Sequence, residues 1–234
     1  MKVKFDLHIH SKLSPCASEL MTPNNIMNMC MLKGLGLVAV TDHNSILQQD
    51  SLTKISESYD FIYINGIEIT TIEGFHVLGY FDSLDKCRDF YNCIINHYDQ
   101  SIKSNNPKKQ VIFDEYDQEI GYVDYNLHQK INIDTTSLLK MIRLFNGIIV
   151  LAHIDRQKTG ITNYDIDFQY FDFDGFEIDD KDKIDELYRS HSFLKKYKMI
   201  NNSDSHDITS INENEYIELD ELSFEGLKAW FYHD

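Results

Sequence analysis

Basic residues are scarce in this sequence. Its 234 residues include 22 Lys and Arg against 38 Asp and Glu, so the formal net charge is −16 with neutral histidines. A surface of that sign repels phosphate backbones at long range, which argues against general binding of nucleic acid or of anionic membranes. Divalent cations held in a cleft could reverse the sign locally. The composition therefore favours a phosphorylated small-molecule substrate over a nucleic acid.

Three further absences concern the cellular compartment. The sequence has no signal-peptide h-region and no Cys-x-x-Cys pair among Cys16, Cys30, Cys87 and Cys93. It also has no run of about 18 apolar residues, the length that suggests a transmembrane helix. We therefore expect reduced thiols in a soluble, cytoplasmic protein.

Linkers, low-complexity tracts and internal repeats are also lacking, and the length suits one α/β barrel. We expect a single domain over residues 1–234. Residues 82–146, called the inserted segment below, are less regular and carry no candidate ligand. We expect this segment to form a cap over the site, and the alternative is a surface insertion without function. Nothing in the sequence indicates an oligomeric state.

The first half of the chain alternates strand and helix patterns. Strands are predicted at "KVKFDLHIH", "LGLVAVTDHN", "FIYINGIEIT" and "GFHVLGYF", with helices at 22–34 and at about 45–58. Thr22 is the expected N-cap of the first helix and Pro23 its first residue. Continuous apolar strands that alternate with helices predict a parallel sheet covered on its faces.

The first strand also carries polar residues at every second position. Alternation places Asp6, His8 and His10 on one face, opposite Phe5 and its apolar neighbours. Such a face, buried without partners, would cost about 2–7 kcal/mol for each group. A divalent metal would hold these groups together.

Other predicted strands end in the same way, with an apolar run followed by histidine or aspartate. A lone strand histidine is more often a hydrogen-bonded core residue than a ligand, but six histidines at strand ends are hard to explain in that way. Parallel strands of a barrel bring such ends to one face, and imidazole and carboxylate are ligands that zinc, manganese and iron share. Eight groups exceed what one ion takes, which predicts a multinuclear site. The candidate ligands are His8, His10, His43, Glu68, His76, His153, Asp204 and His206.

The motifs "DLHIHS", "TDHNS", "GIEITT", "FHVLGY", "LAHID" and "NSDSH" occur in that order. Together they resemble the motifs of the PHP (polymerase and histidinol phosphatase) superfamily, over roughly residues 3–208. The resemblance implies a distorted (β/α)7, TIM-like barrel with two or three divalent metals (zinc, manganese or iron) at the C-terminal ends of its strands. It also implies a metal-dependent phosphoesterase.

Carried over by position, the family pattern assigns each candidate to a metal. One ion would bind His8, His10, Glu68 and Asp204; Glu68 would bridge to a second ion with His76 and His153; His43 and His206 would bind a third. Asp6 and Asp42 would orient the histidines. Many family members have an acid or a histidine five to seven residues after the second histidine, where this chain has Pro15, Cys16 and Ala17. Cys16 or Glu19 could substitute, or the third ion could be held loosely.

Two or three metals suit hydrolysis of a phosphate ester by a metal-bound hydroxide. Arg156 is a candidate phosphate clamp, with a surface arginine as the alternative. No G-x-S-x-G elbow indicates a covalent mechanism. The favoured substrate is a small phosphorylated metabolite or nucleotide. An exonuclease or polymerase-associated proofreading module would need a basic track, to which Lys103, Lys108 and Lys109 come nearest. A non-catalytic metal-binding regulatory module is the third possibility.

Overall fold

The strands build one curled sheet in the computed structural model, which describes residues 1–105 and 108–232. The eight strands of this sheet lie in the order β10-β1-β2-β3-β4-β7-β8-β9. Their bounds are β1 Lys2–Ile9, β2 Leu37–Val40, β3 Ile62–Thr70, β4 His76–Phe81, β7 Ile148–Leu151, β8 Gly175–Glu177, β9 Lys198–Ile200 and β10 Tyr216–Glu218. The inserted segment contributes a separate hairpin, β5 Gln110–Phe113 and β6 Glu119–Val123.

Six helices flank the strands in the described part of the chain. They are α1 Pro23–Leu32, α2 Gln49–Ser56, α3 Leu84–Ile94, α4 Thr135–Leu144, α5 Ile184–Ser190 and α6 Phe224–Tyr232. Asp134 caps α4 by accepting from the Ser137 amide at 2.9 Å. Thr22 precedes α1 as predicted, but its hydroxyl donates to Asp117 of the hairpin at 2.6 Å instead of capping the helix. None of these helices has both the length and the apolar character needed to cross a bilayer.

The two ends of the sheet curl toward each other. Ile9 at the end of β1 forms a parallel bridge with Ser205, which follows β9, and the His10 amide donates to the Ser205 carbonyl at 2.9 Å. Side chains from β1, β2, β3, β4, β7 and β9 share one apolar cluster on the concave side. This half-barrel confirms the predicted α/β, TIM-like fold class.

The sequence predicts a parallel sheet, but the observed sheet is mixed. Strand β4 is antiparallel to both β3 and β7. A short turn joins β3 to β4 without a crossover helix, and Gly74 within it has φ of +117°, which a residue with a Cβ rarely adopts. His76 therefore stands at the beginning of its strand, paired with Thr70 at the end of β3. The reversal brings His76 to the edge where the parallel strands end.

Strict alternation in β1 is also wrong, because the register with β2 shifts between Asp6 and Ile9. Phe5 and Leu7 pack in the concave cluster, whereas Ile9 packs against α1 on the other side of the sheet. A bulge of this kind adds one residue to the strand and re-aims the side chains that follow. His8 and His10 therefore share a site that Asp6 does not enter.

Arg143 connects α4 to the loop before β8. Its guanidinium donates to Asp172 at 2.9 and 3.0 Å and to Asp174 at 2.5 and 2.7 Å. Asp174 is buried and also accepts from the Ile149 amide at the start of β7. The arginine thus neutralises a carboxylate on which the edge of β7 depends.

We expect Arg143→Met to lower the free energy of unfolding by about 3 kcal/mol, because it leaves Asp174 buried without its cation. Lys140→Met is the matched control on the exposed face of the same helix and should change the value by less than about 0.5 kcal/mol. Urea denaturation of both variants measures the difference. Equal stabilities would contradict this account of the ion pair.

Candidate metal centre

Six histidines and two carboxylates meet at the edge where the parallel strands end. Glu68 of β3 lies at the middle and is fully buried. Its Oε1 lies 2.7 Å from His76 Nδ1 and 3.0 Å from His153 Nε2. Its Oε2 lies 2.7 Å from His43 Nδ1 and 3.3 Å from His10 Nε2. One carboxylate is thus shared by imidazoles from β1, β4 and the loops after β2 and β7, the arrangement that a bridging ligand needs.

Asp204 lies on the other side of the two β1 histidines. Its Oδ1 is 3.2 Å from His8 Nε2 and 2.9 Å from His10 Nε2. The last predicted ligand, His206, stacks on the His10 ring with centroids 4.3 Å apart. The structure therefore brings all eight predicted ligands into one cluster, and their assignment to individual ions stays a prediction.

Glu177 at the end of β8 fixes the orientation of His8. Its Oε2 accepts from His8 Nδ1 at 2.9 Å and from the His153 amide at 3.1 Å, and its Oε1 accepts from Asn202 at 2.8 Å. A proton on Nδ1 leaves the Nε2 lone pair of His8 aimed at Glu68 and Asp204. Sequence reasoning missed this residue, although "GFE" repeats the pattern of an apolar strand that ends in an acid.

Asp42 acts on His10 through a serine. The Ser14 hydroxyl donates to Asp42 Oδ1 at 2.6 Å, so it can accept from His10 Nδ1 at 3.0 Å. The Ser11 hydroxyl and amide also donate to Asp42. This relay fixes the proton of His10 on Nδ1 and leaves Nε2 free to coordinate. The role of Asp42 in orienting a metal ligand stays a prediction.

Asp6 has a different role from the expected one. Its carboxylate accepts from the backbone amides of Ser203, at 3.2 Å, and Asn212, at 2.8 Å, and contacts no imidazole in the described chain. The cause is the bulge in β1, which places Asp6 on the opposite side from His8. Burial raises the pKa of Asp6 to about 6 despite these hydrogen bonds. Asp6 thus anchors the loop that carries Asp204 and His206.

The backbone is strained at two of the predicted ligands. His153 has φ of +25° and Asp204 has φ of +46°, in the left-handed region that residues other than glycine rarely adopt. Such conformations cost of the order of 1–3 kcal/mol each and cluster at functional sites. The surrounding hydrogen bonds hold both side chains toward Glu68 and His10.

Electrostatics and hydrogen bonding in the cluster fit a cation. Burial opposes ionisation of Glu68 and Asp204, yet the neighbouring histidines hold the pKa of each carboxyl well below its usual value. Burial lowers the pKa of His43 well below 6.5, so this ring is neutral. Within the described residues, His43 Nδ1, Glu68 Oε2 and Asp204 Oδ1 form no aligned hydrogen bond, although the first two lie 2.7 Å apart. Ligand atoms that face one another in this way fit a shared divalent ion.

Protons would leave the cluster when a metal binds. Although burial opposes the charged imidazole, the surrounding carboxylates raise the pKa of His8 well above 6.5 and that of His10 to about 9. Coordination requires neutral imidazole, so a metal competes with these protons.

A cavity of about 600 Å³ opens above the cluster. Arg156, Lys130 and Lys158 line it, and Tyr164 forms part of its wall. The Arg156 guanidinium forms a bidentate pair with Asp179 at 2.6 and 2.7 Å and also contacts Asp204. The candidate phosphate clamp therefore lies at the site, but two carboxylates already occupy its donors.

The two candidates for the missing third-site ligand differ in position. Cys16 lines the cavity beside His43. The Glu19 side chain is 76% exposed and pairs with Lys12 Nζ at 2.8 Å. The structure therefore brings Cys16 to the site and leaves Glu19 outside it.

The lysines that come nearest to a basic track in the sequence, Lys103, Lys108 and Lys109, do not line the cavity. Lys103 pairs with Asp124 at 2.6 Å, and Lys108 donates to the Ala17 carbonyl at 3.1 Å. The lysines that line the cavity are Lys130 and Lys158, which no sequence pattern indicates.

Comparisons with known proteins support the fold. No family profile matches the chain. A curated relative, an uncharacterized protein of Methanocaldococcus jannaschii, is 33% identical over 87 residues, which are 34% of this chain and 50% of that protein. The lesion-specific endonuclease Q of Pyrococcus furiosus has a similar structure, with a TM-score of 0.73 and 23% identity over 97% of this chain and 55% of that one.

Two further structures are similar. Endonuclease Q in complex with a 27-mer duplex, which has an abasic lesion at the active site, gives a TM-score of 0.73 and 22% identity over 99% of this chain and 57% of that one. A Bifidobacterium adolescentis protein proposed to be a metal-dependent phosphoesterase gives 0.59 and 16%, over 97% and 95% of the two chains. The present chain thus spans about half the length of the curated relative and of endonuclease Q. These likenesses show a shared fold.

The prediction drawn from net charge, that nucleic acid is an unlikely substrate, is wrong. It disfavoured nucleic acid and favoured a small phosphorylated substrate, but a structure with the same fold holds a DNA duplex with a lesion at its active site. Total charge sets the long-range field, whereas contact with a strand depends on charges at the cavity. Here the cavity is lined by an arginine and two lysines despite the net charge of −16.

We expect Glu177→Gln to weaken metal binding by about 10–100-fold, the usual cost of losing a hydrogen-bond partner of a ligand histidine. The amide keeps the shape of Glu177 but loses the charge that holds the proton on His8 Nδ1. Competition with a chromogenic chelator measures the affinity, with Glu186→Gln on the exposed face of α5 as the control. Unchanged affinity in Glu177→Gln would show that this carboxylate does not support the centre.

Proposed function

We propose that the chain is a metal-dependent phosphoesterase that cleaves a phosphodiester bond of a nucleic-acid strand. The observation that carries the proposal is the buried Glu68 carboxylate shared by imidazoles below an open cavity with basic walls. Endonuclease Q, whose fold this chain shares, is a lesion-specific endonuclease whose complex holds a duplex substrate with an abasic lesion at the active site. The shared fold and the ligand chemistry support the same reaction class here.

The residues present fit a two- or three-ion centre. Glu68 would bridge two ions, with Asp204 and the β1 histidines on one side and His76 and His153 on the other. Bound ions would supply a hydroxide nucleophile and neutralise charge on the phosphate. Glu177 and Ser14 hold the ring protons on Nδ1 of their histidines, so both Nε2 atoms stay available.

Charge at the cavity suits a phosphate backbone. Lys130 is exposed and donates to the Glu73 carbonyl at 2.7 Å, which leaves two of its three N–H groups available. Lys158 is also exposed and lines the same cavity. Arg156 pairs with Asp204 and Asp179, so we assign it to positioning Asp204 and not to clamping the phosphate. The two lysines are the proposed contacts to phosphates beside the scissile bond.

The inserted segment is proposed to form one wall of this cavity. Helices α3 and α4 pack on the sheet, but the stretch between β6 and α4 reaches the mouth with His128 and Lys130. The hairpin is fastened to α1 and α2 by Asp117 with Asn24 and by Glu115 with Lys54. A wall that is held in place can select among the nucleic-acid strands that enter the cavity. We therefore favour the interpretation of the inserted segment as a cap over that of a surface insertion without function.

A protein that only binds metal remains the competing function. We expect metal-loaded wild-type protein to cleave fluorescent oligonucleotides, tested as intact duplex, single strand and duplex with one abasic site. Glu68→Gln should lower the cleavage rate by more than about 100-fold, because it removes the charge that two ions would share. Loss of a residue that only hydrogen-bonds to a metal ligand usually costs about 10–100-fold. Glu57→Gln, exposed at the end of α2, is the control. Absence of cleavage by fully loaded wild-type protein on all three substrates would favour the competing function.

The two cavity lysines provide a separate test of the substrate. We expect Lys130→Gln and Lys158→Gln each to weaken oligonucleotide binding to the same extent for every base sequence. Each should also reduce the slope of log K against log salt concentration by about 1, because each removes one contact to a phosphate. Lys140→Gln, exposed away from the cavity, should leave the slope unchanged. Fluorescence anisotropy at several salt concentrations measures the slopes. If both cavity variants keep the wild-type slope, the phosphates do not pass these walls.

A further inference from the structure

Three side chains at the cavity mouth form a group that includes a residue of the inserted segment. Cys16 follows β1, His43 follows β2, and His128 lies between β6 and α4. Each offers a ligand atom within 4.8 Å of those of the other two. The His43 and His128 rings are nearly perpendicular, at 85°, with centroids 4.5 Å apart. This group lies beside the Glu68 cluster and shares only His43 with it.

The backbone on both sides of His128 is held in place by the neighbour of His43. Asn44 Nδ2 donates to the carbonyls of Leu127, at 2.6 Å, and Gln129, at 2.7 Å. Its Oδ1 accepts from the Thr70 amide at 2.9 Å and from the Tyr98 hydroxyl at 3.0 Å. Asn44 is 1% exposed, so every polar atom of its amide group is used inside the protein to join this stretch to the site.

Burial and strain show that this attachment is a built feature. Leu127 is fully buried and packs with Leu13 and Val123, next to the loop that carries Cys16. Asn44 itself has φ of +49°, in the left-handed region. A surface insertion without function would not need a buried, strained asparagine to fix the residue on each side of one histidine.

We propose that Cys16, His43 and His128 bind a divalent metal ion, so that the inserted segment supplies a ligand to the third metal position. Cys16 stands where the family pattern expects an acid or a histidine, and His128 adds an imidazole from outside the family motifs. A thiolate with two imidazoles favours zinc over the harder manganese and magnesium ions. The proposal rests on the metal centre of the proposed function and is independent of the nucleic-acid substrate.

The alternative is that His43 binds a metal only together with other residues of the Glu68 cluster. Two such groups have ligand atoms close enough to share an ion: His43 with His10 and His206, and His43 with Glu68 and His76. Cys16 and His128 would then be uncoordinated wall residues. The two arrangements differ in whether sulfur contacts a metal and in whether the inserted segment affects metal affinity.

Cobalt substitution distinguishes them without an activity assay. We expect Co²⁺-loaded wild-type protein to show a thiolate-to-cobalt charge-transfer band in the near ultraviolet, and Cys16→Ser to lose it. Cys93→Ser, at an exposed cysteine on α3, is the matched control and should keep the band. His128→Ala should weaken the last-filled equivalent by at least about 10-fold, as loss of a supporting group already does. His97→Ala, also in the inserted segment but outside the cavity, should not.

Thermal melts of all four variants establish that each is folded. A wild-type protein that fills its other sites but shows no thiolate band would overturn the proposal, as would unchanged affinities in His128→Ala. A wild-type protein that binds no divalent metal at all would instead overturn the metal centre itself, and with it the proposed function.

Discussion

Five imidazole rings surround the fully buried carboxylate of Glu68, each with a nitrogen within 3.4 Å of one of its oxygens. A buried carboxylate is costly unless it is paired, and the imidazoles must be neutral to coordinate a metal, in which form they pair with it poorly. A divalent ion on each side of Glu68 would remove this conflict, because carboxylate and imidazole lone pairs would then face a common positive charge. The rest of the site is arranged to keep those lone pairs available.

The scaffold supplies this arrangement through departures from a regular barrel. The bulge in β1 turns His8 and His10 toward Glu68 and moves Asp6 to the loop that carries Asp204. The reversed strand β4 brings His76 to the same edge. Glu177 and the Ser14–Asp42 pair then hold the ring protons away from the centre. The irregularities of the fold thus coincide with the positions that need an unusual orientation.

Sequence reasoning predicted the fold class and the eight residues that the structure brings together, because both follow local patterns, namely apolar runs and the polar residues that end them. The bulge and the reversed β4 depend on register and turn geometry, which periodicity does not encode. Glu177 followed the pattern but stood in a short strand without a histidine. His128 had no local signal, because its position depends on Asn44, which is 84 residues away. The substrate prediction from net charge failed because net charge is summed over the whole chain, whereas the cavity itself is lined by basic residues.

The most direct measurement is anomalous X-ray diffraction from crystals of the metal-loaded protein, recorded on both sides of the absorption edge of the metal. The account predicts at least two anomalous peaks, both within about 2.0–2.2 Å of a Glu68 oxygen. His8, His10 and Asp204 should surround one peak, and His76 and His153 the other. Peaks only at surface carboxylates, with the Glu68 cluster empty in metal-saturated crystals, would contradict it.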